Sequence, residues 1–301
     1  MKPYVSIIIP TYNRAILLQE ALHSVRMQTE SNWEAIVINN YSEDNTIDIV
    51  AAFSDPRIKL LNFKNNGNIG AARNHGVSMA RSDWIAFLDS DDTYHPEKIA
   101  RCRAVANKNF DIINHRFVKV KNGRPFWKSP KYQAKNATYR NMFFKENCLA
   151  ALTIFVRKSL INKVGGFSED HHLISAEDRD LWLKFAKEGA NIKFIDDILA
   201  NYRVHSSQMT RHINLHMQAS LTVVERHKKT VFPKKLLDPF LVQRERALIT
   251  YSGGRAHYIL GDRINAACLL AKSILIFPFV IKAYLSLVLC CLPIKAINHK
   301  S

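Results

Sequence analysis

"YVSIIIPTYNRAILLQEALHSVRMQ", residues 4–28, decides the fold. Residues 4–9 are an apolar run interrupted only by Ser6, the pattern of a buried strand. Pro10-Thr11-Tyr12-Asn13 stops that run. From Ala15 to Gln28 the apolar residues recur at helical spacing. Strand, polar corner and helix form one α/β unit, and the next hundred residues repeat it. "WEAIVIN" (33–39), "IKLLNF" (58–63) and "WIAFLD" (84–89) read as strands. "DNTIDIVAAF" (44–53), "GAARNHGVSMA" (70–80) and "PEKIARCRAVA" (96–106) read as helices. Asp44 is placed to cap the first of these, and Pro96 stands at the first position of the last. Such alternation predicts a mostly parallel sheet with helices on its faces. Ligands of these sheets sit at the carboxyl ends of the strands. Pro10 to Asn13, Asn39-Asn40 and Asp89-Ser90-Asp91-Asp92 all fall at such ends.

The acidic corner after the fourth strand is the sharpest chemical signal. Three carboxylates in four residues repel one another, and a hard divalent cation with phosphate oxygens would relieve the repulsion. A loop of acids preceding a helix is the competing explanation, since helix N-termini favour negative charge. The tripeptide alone leaves the two equal.

Past residue 107 the pattern loosens. "FDIINHRFVKV" with the Asn122-Gly123 turn predicts a hairpin, and "LAALTIFVRKSLI" (149–161) a strand passing into a helix. "EDRDLWLKFAKEG" (177–189) has helical spacing, with Asp180 expected to face water. "NIKFID" and "LANYRVH" predict two short strands. Beyond residue 212 the chain turns helical and basic. From Arg203 onward there are 15 Lys or Arg against 4 Asp or Glu, so the tail carries most of the net charge of +17. A basic tail calls for a polyanion, nucleic acid or an acidic membrane surface. "SILIFPFVIKAYLSLVLCCLPIK" (273–295) is nearly long enough to span a bilayer, but Pro278 and Lys282 interrupt it. A helix lying in the membrane interface is the expectation, with a true span and a buried helix pair as alternatives. The five cysteines lack metal-ligand spacing, and no secretory signal is apparent, so reduced thiols in a cytoplasmic protein are expected.

The stretches "VSIIIPTYNR", "GNIGAARNHGV", "FLDSDD", "GGF", "EDRDLW" and "YRVH" occur in this order over residues 4–205. In this the chain resembles the family 2 glycosyltransferases of bacterial surface-polysaccharide synthesis, which have the GT-A fold. The resemblance implies a Rossmann-like GT-A domain over 1–212, with a nucleotide-sugar half (1–120) and an acceptor half (121–212), followed by a helical membrane-associating region over 213–301. It implies an inverting, metal-dependent transfer of a sugar from a UDP-linked donor to a hydroxyl of a saccharide or lipid-linked saccharide. Asp91 matches the family's metal-binding acid, and Asp89 the acid that touches the ribose or assists the metal, Mn²⁺ or Mg²⁺. His205 in "YRVH" is a further candidate metal ligand, and Arg203 a ligand of the diphosphate. Asp178 matches the catalytic base. Glu177, Trp182 and Asp92 fall on the acceptor side, with a core role for Trp182 and helix capping for Asp92 as equal alternatives. Pro10, Thr11, Tyr12, Asn40 and Arg73 match the nucleotide-binding positions. Asn39 and Asn40 stand where the family places two acids, which leaves the donor base open. Gly70 would permit close backbone approach.

Two other readings compete. A nucleotidyltransferase would also use acids and a metal, but "PTYNRA" occupies the place of the Gly-rich, basic triphosphate loop such enzymes need. A nucleic-acid-binding module would suit the tail's charge, but no zinc, RNP or helix-turn-helix signature accompanies it, so nucleic acid is not the expected partner. The anionic, cytoplasmic face of the plasma membrane is.

Overall fold

Val5–Thr11 (β1), Trp33–Asn39 (β2), Ile58–Asn62 (β3) and Trp84–Phe87 (β4) form one half of a sheet in the order β3-β2-β1-β4, all parallel. Three helices connect them: Ala15–Arg26 (α1), Thr46–Ala52 (α2) and Ile69–Met79 (α3). Val5, Ile7 and Ile9 pack with Leu18, Leu22 and Val25 of α1, which is why both runs are apolar at their own periods. β1 and β2 are buried along their whole length, as parallel strands covered on both faces are. These are the residues of a computed structural model that describes 2–205, 212–231 and 237–291.

The rest of the sheet is mixed. Thr93–Tyr94 (β5) and helix Lys98–Val105 (α4) follow the acidic corner; Pro96 lies in the turn before α4 rather than at its first position. Ile112–Lys121 (β6) and Arg124–Lys128 (β7) form the predicted hairpin, and helix Tyr139–Phe144 (α5) follows. Ile154–Arg157 (β8) passes directly into Lys158–Lys163 (α6), as read from the sequence. Glu177–Lys187 is α7, and Ile192–Arg203 is β9. β8 pairs antiparallel with β4 and β6, β9 parallel with β6, and β5 antiparallel with β9. The two strands expected between residues 191 and 205 are thus a single strand. The polar Asp196-Asp197 pair does not end it, because the register with β6 shifts there, from Asn114 opposite Phe194 to Arg116 opposite Ile198. Asp197 meets Arg101 and Asp196 meets Lys131 at the surface.

The chain divides into two compact units, Met1–Gln208 and Met209–Ser301. The second contains helices Ile213–Val231 (α8), Asp238–Ile259 (α9), Arg263–Ile276 (α10) and Ile281–Cys291 (α11). The apolar stretch 273–295 is split between α10 and α11, with Phe277 and Val280 buried at the break; its residues 292–295 lie outside the described ones. Among the described residues no helix is long and apolar enough to cross a membrane. One side of α11 packs Ala283, Ser286 and Cys290 inward. The other leaves Ile281, Leu285 and Val288 exposed, one helical turn apart.

Candidate active site

β1 and β4 are neighbours, yet the chain leaves β1 toward β2 on the opposite side. The crevice at their carboxyl ends is therefore a topological switch point, where open α/β sheets bind ligands. Thr11 closes β1 opposite Asn39 of β2, and Leu88 N donates to Ile8 O, 3.0 Å away, just before Asp89. A tight turn follows, with Asp92 N donating to Asp89 O at 2.9 Å.

That turn brings the Asp89, Asp91 and Asp92 carboxylates within 4.8 Å of one another. Each is met by a group from elsewhere in the fold. Asp89 Oδ1 accepts from Arg73 of α3 at 2.7 Å. Asp91, only 8% exposed, pairs with Arg14 at the start of α1, and His205 Nε2 lies 3.0 Å from its Oδ2. Asp92, 2% exposed, accepts from the Arg203 backbone N–H at 2.9 Å. Burial, with the charges of Asp91 and Asp89, holds the Asp92 carboxyl well above the usual range, so its proton is hard to remove. Carboxylates of Asp89 and Asp91 gathered at one turn, with the His205 imidazole against Asp91, fit a hard divalent cation. Asp92, whose ionisation burial and the neighbouring carboxylates oppose, is the poorest donor of the set.

Arg203 is drawn under the turn rather than out over it. Its guanidinium reaches Asp91 O, Glu20, Leu17 O at 3.1 Å and Ser90 O at 3.4 Å, fixing the acidic turn to α1. Arg14 and Glu20 were missed in the sequence. Arg14 immediately precedes α1 and Glu20 lies in its middle, and only their closeness in sequence to the end of β1 could have signalled them. Lys98 was missed as well. Its amine is fully buried, 3.1 Å from Leu152 O and over the Tyr94 ring, and burial pushes it well below the usual lysine range.

A second carboxylate pair faces the first through Arg73. This arginine is buried, with one guanidinium nitrogen on Asp89 and the other 2.8 Å from Glu177 Oε1 at the first turn of α7. Burial opposes its charge, but Asp89 and Glu177 outweigh that and keep it protonated. Burial also pushes the Glu177 carboxyl up to about 6, against the pull of Arg73 and with the help of the Asp178 charge. Glu177 Oε2 accepts from Ser175 N at 2.8 Å, and Asp178 Oδ1 from Arg179 N at 2.6 Å. Gly70 makes the approach between α3 and this region possible: a Cβ there would stand 2.9 Å from Ser168 O. Asn74 pins the same segment by exchanging hydrogen bonds with the Phe167 backbone, both at 2.9 Å.

The remaining candidates divide. Tyr12 is exposed at the crevice, while Thr11 is buried with its hydroxyl oxygen unpartnered among the described residues. The Asn39 side chain holds Asn62 and Ser42, and Asn40 Oδ1 accepts from Asn65 N, so both amides tie the ends of β2 and β3 together. Trp182 has no exposed surface and packs edge-on to Phe167. It is a core anchor here, and it presents no face to an acceptor. Asp180, expected in water, is fully buried and pairs with Lys184 at 2.9 Å. Glu177 and Leu183, one turn before and one turn after it on the same face of α7, are buried as well, so that face is turned inward.

Residues 6–165 match the family described as Glycosyl transferase family 2. An uncharacterized glycosyltransferase of Rickettsia typhi is 32% identical over 216 residues, covering 69% of this chain and 66% of that protein. The chain thus spans just under two thirds of that relative. The Escherichia coli UDP-Glc:alpha-D-GlcNAc-diphosphoundecaprenol beta-1,3-glucosyltransferase WfgD is 33% identical over 217 residues, 68% of this chain and 79% of WfgD. Among solved structures, S. aureus TarS 1-349 in complex with UDP-GlcNAc superposes with a TM-score of 0.61 at 21% identity, covering 91% of this chain and 81% of that one. That likeness is one of fold.

Proposed function

The chain belongs to glycosyl transferase family 2, and from that premise we propose that it moves a sugar from a nucleoside-diphosphate sugar, UDP-linked, to a hydroxyl of a lipid-linked saccharide in cell-surface polysaccharide synthesis. The observation that carries this is the buried acidic turn at the switch point, joined through Arg73 to a second carboxylate pair on α7. One group of acids suits the diphosphate side and the other the acceptor side. The printed activity of WfgD, a glucosyl transfer to a diphospholipid-linked sugar, supports the acceptor class.

Asp178 is the base: its carboxylate takes the acceptor hydroxyl's proton as that oxygen bonds to the anomeric carbon from the face opposite the leaving group. The bond from that carbon to the diphosphate breaks in the same step, so the configuration inverts. Asp89, Asp91 and His205 would hold Mn²⁺ or Mg²⁺, which when bound supplies positive charge to the departing diphosphate. Arg73 keeps Glu177 and Asp89 at fixed separation, and Glu177 braces the start of the helix that presents Asp178. Thr11 and Tyr12 line the nucleotide end of the crevice, where the unpartnered Thr11 hydroxyl suits a ribose or base group.

The second unit acts at the cytoplasmic face of the plasma membrane, peripherally. Its excess of basic residues and the exposed Ile281, Leu285 and Val288 stripe of α11 support that reading. Incubation with a radiolabelled nucleotide-sugar, Mn²⁺ and a lipid-linked acceptor tests the reaction. Release of a nucleoside diphosphate with labelled lipid is expected. Release of pyrophosphate would replace this reading with nucleotidyl transfer.

A further inference from the structure

Between Asp111 and Glu146 the chain contains nine Lys or Arg and no Asp or Glu. The β6–β7 hairpin lies at the centre of this stretch. Asn122 and Gly123 both have positive φ, at 50° and 74°, the geometry of a two-residue turn that follows the natural twist of the strands. The turn sets Lys121 directly opposite Arg124, and like charges in that position repel. Among the described residues no ion pair holds Lys121, Arg124 or Lys128. Phe126 and Trp127 stand beside them, 59% and 41% exposed. Trp127 rests on Phe117 on one side, 5.6 Å between centroids, with the Lys119 amine 4.9 Å from its ring. All five residues of β7 are exposed, and the strand has only β6 as a neighbour. Lysines and a proline on an edge strand protect it from pairing with other chains. That role does not call for two adjacent exposed aromatics, which raise the risk of association.

We propose that the tip of this hairpin is a docking surface for an anionic lipid bilayer, with Lys121, Arg124 and Lys128 on the headgroup phosphates and Phe126 and Trp127 in the interfacial layer. Charge complementarity selects the partner: cations that repel one another in the fold gain from a sheet of negative charge. Phe and Trp flanked by Lys and Arg are the side chains that settle at the boundary between headgroups and acyl chains. The hairpin base also adjoins the catalytic region. Val120 lies opposite Arg203 of β9, and Val204 N donates to Val120 O at 2.8 Å, immediately before His205. A bilayer held by the hairpin therefore lies one strand from the acidic turn. This contact stands on the hairpin's own residues and is separate from both the transfer chemistry and the second unit.

Tryptophan fluorescence tests it directly. Of the four tryptophans, Trp33, Trp84 and Trp182 are buried at 2%, 5% and 0% exposure, which leaves Trp127 as the reporter at the surface. The full chain is mixed with vesicles of phosphatidylcholine alone, or of equal parts phosphatidylcholine and phosphatidylglycerol, each with brominated acyl chains. Quenching and a blue shift are expected only with phosphatidylglycerol, are lost at high salt, and are absent in Trp127→Phe. The Lys121→Gln/Arg124→Gln/Lys128→Gln variant is expected to bind these vesicles about tenfold or more weakly, with unchanged turnover of a short-chain, water-soluble acceptor. Binding to vesicles without quenching would overturn the proposal and leave membrane contact to the second unit. Binding of soluble polyphosphate in preference to vesicles would also overturn it, as would equal vesicle affinity in the triple variant.

Discussion

Two charge clusters of opposite sign lie within the first unit, and the fold treats them in opposite ways. At the acidic turn Asp89, Asp91 and Asp92 are drawn into the protein, and each is met by Arg73, Arg14 with His205, or the Arg203 backbone. On the hairpin, Lys121 and Arg124 face each other across a turn in water. Buried charge persists only when paired, because an unpaired ion in a medium of low dielectric constant is strongly destabilising. Exposed charge is screened and tolerated without a partner. The acidic turn is therefore a preorganised site whose geometry the fold itself maintains. The hairpin is a surface whose charge is left for something outside the chain.

The contrast predicts that removing charge has opposite consequences in the two places. The largest effect belongs to the reaction. Asp178→Asn should lower kcat by about 1,000-fold while leaving nucleotide affinity intact, read by single-turnover transfer and by titration calorimetry. Arg73→Ala comes next. It strands Asp89 and the buried Glu177 and should destabilise the protein by about 3 kcal/mol, measured by urea unfolding; a loss under about 1 kcal/mol would mean the two carboxylates do not depend on it. Glu177→Gln gives a smaller, pH-dependent difference. Folding raises the Glu177 carboxyl from 4.5 to about 6. The stability it confers is full below the lower value and is lost as pH rises through the upper one. Wild type should therefore lose about 2 kcal/mol relative to the variant across that window, and parallel curves would contradict the shift. The smallest effect has the reverse sign. Lys121→Gln should raise stability by a few tenths of a kcal/mol at low salt, and the gain should vanish at high salt.

The alternation of residues 4–106 made the parallel half of the sheet legible, because strands buried on both faces leave long apolar runs. The second half was harder to read. β9 crosses Asp196 and Asp197 through a register shift, and a polar pair within a strand looks like a strand end. The acidic turn was visible because three acids in four residues need an explanation. What pairs with them was not, since Arg14, Arg73 and His205 lie on separate stretches of the sequence and come close only through the strand order. Asp180 shows the same limit: its Lys184 partner was at helical spacing, but the burial of Asp180 follows from how α7 packs in the folded chain. The apolar stretch 273–295 is interrupted in sequence, and Pro278 does mark the break between α10 and α11.

Calorimetric titration of the full chain with UDP, in the presence and absence of Mn²⁺, tests the central claim most directly. Binding should require the metal, and Asp91→Ala should abolish it while its unfolding transition stays cooperative. If UDP and the other nucleoside diphosphates bind equally well with Mn²⁺, with chelator, and to Asp91→Ala, then the acidic turn does not hold a metal-bound diphosphate and the assignment of the site is wrong.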